Sequence, residues 1–76
     1  MIKVYTTPTC IYCQNLKTFL KEKGIEFEEI NVANNPEALK EMVAKSGQLG
    51  VPVVDIDGQI VIGFDKEKIS KLLNLD

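Results

Sequence analysis

The chain changes its apolar period once in its first twenty residues, and the change falls at a pair of cysteines. Ile2-Lys3-Val4-Tyr5 is short, alternating and β-branched, the pattern of a strand half-buried in a sheet. From Cys10 onward the apolar residues follow a different rule. Leu16, Phe19 and Leu20 recur at i, i+3 and i+4, one face of a helix. A strand followed by a helix has to pack within a sheet-and-helix architecture, and the element order along the rest of the chain decides which.

The rest of the sequence supplies the missing elements. Gly24 suits the end of the first helix, because glycine takes a positive φ without steric cost. Ile25 to Val32 reads as a second strand, with a phase shift across Glu28-Glu29 that predicts a bulge or an early end. Asn35-Pro36-Glu37 is a helix start: a cap, a residue with preset φ, and an acid at the positive end of the dipole. Leu39, Met42 and Val43 mark that helix's inner face, and Gly47 its stop. Val53–Ile56 and Gln59–Ile62 are strands joined by Asp57-Gly58, a strong two-residue hairpin signal. Asp65 caps a last helix whose inner face is Ile69, Leu72 and Leu73, with Phe64 and Ile69 placed for a hydrophobic staple. The predicted order is β-α-β-α-β-β-α. The first two strands should be parallel with a right-handed crossover. One mixed four-stranded sheet with helices on both faces satisfies these constraints.

The 76 residues fit one small domain, 1–76. Lys+Arg 9 against Asp+Glu 11 gives a net charge of -2, which offers no electrostatic case for nucleic acid or an anionic membrane. No apolar run approaches the roughly 20 residues of a membrane helix. The N-terminal residues lack the apolar core of a signal peptide. The expectation is therefore a cytoplasmic chain in a reducing compartment.

That expectation bears on Cys10 and Cys13. A disulfide between them would close a loop of only four residues, for about 2 kcal/mol before strain. Structural zinc takes four ligands, and this chain has two cysteines and no histidine, so a metal site would need a second chain or an external thiol. A C-x-x-C inside a βαβ pattern reads first as a redox motif. Cys10 falls past the carboxyl end of the first strand and at the helix N-terminus, where exposed N–H groups and the dipole favour negative charge. The expectation is a Cys10 thiol mostly ionised near neutral pH, aided by a hydrogen bond from the Cys13 S–H. Cys13 should be the more buried thiol, beside Leu16 and Phe19. Cys10 would attack a substrate disulfide, and Cys13 would resolve the mixed disulfide. Gly50-Val51-Pro52 opens the third strand. Local sequence alone favours an ordinary trans proline there, while a cis Val51-Pro52 bond would seat the loop against the Cys10 helix end. The Val51 backbone would then be free to pair with a substrate peptide.

With these motifs in place, the sequence resembles the glutaredoxins. The resemblance rests on C-x-x-C after the first strand, V-P before the hairpin and G-x-D at the last helix, and it spans Ile2 to Leu75. It is nearest to small bacterial glutaredoxin-like proteins, including the redoxins that feed ribonucleotide reductase. The resemblance implies the thioredoxin fold, a cis Pro52, Cys10 as nucleophile and Cys13 as resolving thiol. It implies no tightly bound cofactor, with glutathione as a co-substrate. Glutathione would pair with the Val51 backbone, flank Tyr12, and place its γ-glutamyl end at Gly63, Phe64 and Asp65. The sequence departs from glutathione-using members in three places: Thr7 replaces a lysine, Ile62-Gly63 a glycine pair, and Ile11 a proline. The lost lysine contact is worth about 1.5–3 kcal/mol when well formed. A thioredoxin-reductase-like flavoprotein is therefore an equal candidate as electron donor. The expected partners are disulfide-containing proteins, and nothing demands more than a monomer. The alternative from another class is an iron–sulfur cluster or metal carried between two chains through Cys10.

Overall fold

The computed structural model describes residues 1–74, so Leu75, the last residue of the resemblance, lies outside the described residues. The elements run β1 (Ile2–Thr6), α1 (Ile11–Glu22), β2 (Glu28–Asn31), α2 (Pro36–Ser46), β3 (Val53–Ile56), β4 (Gln59–Ile62) and α3 (Lys66–Leu73). The sheet order is β2-β1-β3-β4. β1 and β2 are parallel, while β3 is antiparallel to both β1 and β4. This is the thioredoxin-like arrangement expected from the sequence.

Alternation along the strands sorts side chains onto two faces. Val4, Val54, Ile56 and Val61 meet Leu16, Phe19 and Leu20 of α1 and Ile69 of α3. Tyr5 and Val53 meet Ala38 and Met42 of α2, with Val32 beside them. Leu39 and Val43 are only partly buried, because Ala38 and Met42 take the centre of that face. Every residue of β3 is buried, including Asp55. No helix among the described residues is long and apolar enough to cross a membrane.

Local signals set the element ends. Cys10 is the N-cap of α1 rather than its first helical residue. The Asn35 side chain accepts from the Ala38 N–H, and Pro36 takes the first helical position. Asp57 and Gly58 both have positive φ, 50° and 95°, as the tight hairpin requires. Phe64 packs in the same cluster as Ile69.

The second strand differs from its expected bounds, Ile25 to Val32. Its phase shift reflects a late start at Glu28. The Ile25 N–H donates to the Leu20 carbonyl at 2.9 Å, and the Gly24 N–H to the Lys21 carbonyl at 3.0 Å. These paired bonds form a helix-terminating Schellman motif, with Gly24 at φ +69°. The Ile25 N–H is therefore committed to closing α1. Ile25 and Phe27 turn into the core as partly buried residues. At the other end, Val32 lies beyond the strand but still donates to the Thr6 carbonyl at 3.0 Å.

Candidate active site

The two cysteines lie one helical turn apart in different surroundings. The Cys10 backbone is extended, and its sulfur accepts the Cys13 N–H at 3.1 Å. A sulfur thus fills the capping role usually taken by a side-chain oxygen. Cys10 is partly exposed, whereas Cys13 is 1% exposed, packed with the inner face of α1. Both are free thiols. Burial pushes the Cys13 thiol up to about 12, and its hydrogen bond with Cys10 adds to the rise.

The loop before β3 approaches the same helix end. The Val51-Pro52 peptide is cis, as the resemblance implied and local sequence alone did not. The Cys10 thiol donates a long bond, 3.9 Å, to the Val51 carbonyl. The Val51 carbonyl, expected to be free, therefore faces the thiol. The Val51 N–H has no hydrogen-bond partner among the described residues. Pro52 is fully buried, and its carbonyl accepts the Gly63 N–H at 2.8 Å. One chain of contacts, Cys10 to Val51-Pro52 to Gly63, joins the start of α1, the proline loop and the segment before α3.

The remaining expected site residues divide. Tyr12 is 67% exposed, next to Ile11 at 72%, and Leu49 beside Gly50 is 70% exposed. Gly63 takes φ +77°, open to any residue only at a cost that glycine avoids. The Asp65 carboxylate is engaged as the α3 cap, accepting from the Lys68 N–H at 3.1 Å. The Phe64 ring turns into the core, its centroid 5.8 Å from that of Phe19. Its side chain is thus partly buried against the core, beside the N-terminus of α3.

Sequence reasoning missed a cluster beside Cys13. Lys17, one helical turn beyond Cys13, donates to Glu29 Oε2 at 2.8 Å, and the buried Thr6 hydroxyl donates to the same oxygen at 3.0 Å. The i,i+4 spacing of Cys13 and Lys17 is legible in the sequence. The partner on β2 is not.

The glutaredoxin family model matches residues 2–61. The chain belongs to the glutaredoxin family. It is 49% identical over 73 residues to a glutaredoxin-like 8.6 kDa protein of the rubredoxin operon of Clostridium pasteurianum, covering 96% of this chain and 97% of that one. Among solved structures, a variant of the thioredoxin-like protein BC3987 matches with a TM-score of 0.93 at 36% identity, over 99% of this chain and 96% of that one. The NrdH-redoxin of Escherichia coli, a glutaredoxin-like protein with a thioredoxin-like activity profile, matches with a TM-score of 0.84 at 32% identity, over 93% of this chain and 92% of that one. This glutaredoxin is accordingly a redox protein of the thiol–disulfide oxidoreductase type.

Proposed function

We propose that this glutaredoxin is a dithiol electron carrier that reduces disulfides of proteins, or of proteins mixed with glutathione. Cys10 attacks a substrate sulfur, forming a mixed disulfide and releasing one thiol. Cys13 then attacks the Cys10 sulfur, forms the Cys10–Cys13 disulfide and releases the second thiol. Two electrons pass from the cysteine pair to the substrate, whose two sulfurs leave as thiols. The observation that carries this reading is the asymmetry of the pair: a partly exposed Cys10 sulfur facing a helix N–H, and a Cys13 sulfur sealed behind it. The exposed Ile11, Tyr12 and Leu49 give the site an apolar rim suited to a protein surface. The free Val51 N–H offers that substrate a backbone partner.

The donor that restores the dithiol is, in this reading, a thioredoxin-reductase-like flavoprotein in the cytoplasm. Thr7 gives no charge to a glutathione carboxylate, one Asp65 oxygen is engaged as a cap, and the Phe64 ring packs partly against the core. The similar NrdH-redoxin of Escherichia coli, a glutaredoxin-like protein, has a thioredoxin-like activity profile, which supports this reading. The test compares two reductions of the oxidised pair, both followed as NADPH consumption. One supplies thioredoxin reductase, the other glutathione with glutathione reductase. Fast turnover with the flavoprotein and slow turnover with glutathione is the expected result. The reverse would assign glutathione to Val51, Gly63 and Asp65.

A further inference from the structure

The dithiol reading raises a difficulty that the surroundings of Cys13 address. A resolving thiol must ionise before it attacks, yet this one is buried and held far above the ordinary cysteine range. Two groups act in the opposite sense. The Thr7 backbone N–H and the Lys17 ammonium both pull the Cys13 thiol back down. When Cys10 carries a substrate as a mixed disulfide, it is no longer a thiol, and its contribution to the rise is gone. Burial is then opposed by Thr7 and Lys17.

Lys17 is well placed to do this. It follows Cys13 by four residues on one helix, so both stems lie on the same face. Its side chain is only 23% exposed, and its ammonium is fixed by Glu29 Oε2 at 2.8 Å. Glu29 is fixed in turn by the hydroxyl of Thr6, which is buried at the end of β1. Lysine prefers to carry its charge into water. Here a strand carboxylate and a buried hydroxyl hold it beside the helix.

We propose that Lys17, held by Glu29 and Thr6, is a positioning residue for the second half of the exchange, stabilising the Cys13 thiolate as it attacks Cys10. This rests on the dithiol reading above. In that step the Cys13–Cys10 bond forms as the Cys10–substrate bond breaks. The substrate sulfur leaves with the bond's electron pair and takes up the proton that Cys13 has given up. The charged and titratable groups around the step are Cys10, Lys17 and Lys21 of α1 and Glu29 of β2; Lys21 acts by holding Glu29 ionised.

A chromogenic bis(nitrobenzoate) disulfide, added at one equivalent to the reduced protein, separates the two halves. The first coloured thiolate reports attack by Cys10, and the second reports attack by Cys13. Lys17→Met should move the pH profile of the second release upward by about one unit, since losing a nearby cation disfavours a thiolate by about that much. The higher pKa also makes the thiolate a better nucleophile, so the second release near neutral pH should slow by only about threefold. The first release should stay within about twofold. Lys17→Arg should restore the profile. A second-release profile unmoved in Lys17→Met, or in Lys17→Gln should the first variant not fold, would overturn the role of Lys17. Release of a single equivalent by the wild type would overturn the dithiol reading and this inference with it.

Discussion

Tyr5 and Thr6 are neighbours on β1, and each anchors a lysine–carboxylate cluster on an opposite face of the sheet. Beneath α2, Lys45 donates to Tyr5 at 3.0 Å, Asp55 at 2.6 Å and Glu41 at 2.9 Å. Asp55 also accepts the Gly58 N–H at 2.8 Å, so the cluster ties α2, β1, β3 and the hairpin turn together. Beside α1, Lys17 has one carboxylate partner among the described residues, and that carboxylate is half open to water. The Asp55 side chain is 12% exposed. A buried carboxylate left without its cation is costly, so the first cluster is a stability element. The second is looser, and it borders the cysteines. The difference teaches that the same pair of residue types serves packing where it is enclosed, and can serve chemistry where it adjoins a reactive sulfur.

The largest effect that would sharpen this contrast lies at the sulfur itself. Cys10→Ser should abolish disulfide exchange while shifting the denaturation midpoint little, because serine also caps helices. Substantial exchange in that variant would move the chemistry away from this face. The converse is Lys45→Met, which strands Asp55. It should lose about 2–3 kcal/mol of stability in urea denaturation, close to a hundredfold in the folding equilibrium. Exchange per folded molecule should be unchanged. A loss of exchange rate in the folded variant would break the division between the two faces.

The pH dependence of stability should divide in the same way. Lys45 holds the Asp55 carboxyl below its ordinary range. Its contribution is present above the unfolded value of about 3.9 and is lost as pH falls through the lower folded value. The Cys13 thiol is raised, so its contribution is present below the unfolded value of about 8.5 and is lost as pH rises toward the folded one. Denaturation midpoints across pH should show Lys45→Met flattening the acid limb and Cys13→Ser delaying the alkaline one. The acid limb will not vanish, since Lys17 still holds the Glu29 carboxyl below its ordinary range. A Cys13→Ser profile identical to wild type above about 8.5 would show that the thiol is not held neutral by burial. The smallest effect belongs to Glu67 and Lys71, an exposed pair 3.4 Å apart on α3. Lys71→Ala should change stability by less than about 0.5 kcal/mol by the same assay.

Much of the fold was legible because its signals act within a few residues. Asn35-Pro36 caps a helix, Asp57-Gly58 forces a hairpin, and the change of period at Cys10 places two thiols at a strand–helix junction. The late start of β2 was less legible. It depends on whether the Ile25 N–H closes a helix or joins a ladder, and both are local options. The cysteines and their order along the helix were readable in the same local terms. Their unequal burial was expected from the neighbouring core face and is found.

The sequence by itself determined the element order and the redox motif, because steric preference, capping and periodicity are carried by neighbouring residues. Only the tertiary structure decided what those elements present to one another. The Val51 carbonyl faces Cys10 across 41 positions, and Tyr5 meets Glu41 across 36. Lys17 reaches Glu29 from a helix to a strand, while the Phe64 ring packs against that of Phe19. Such pairings follow from strand register and from which helix face meets which side of the sheet. Those are properties of the assembled sheet, and no short stretch of chain contains them.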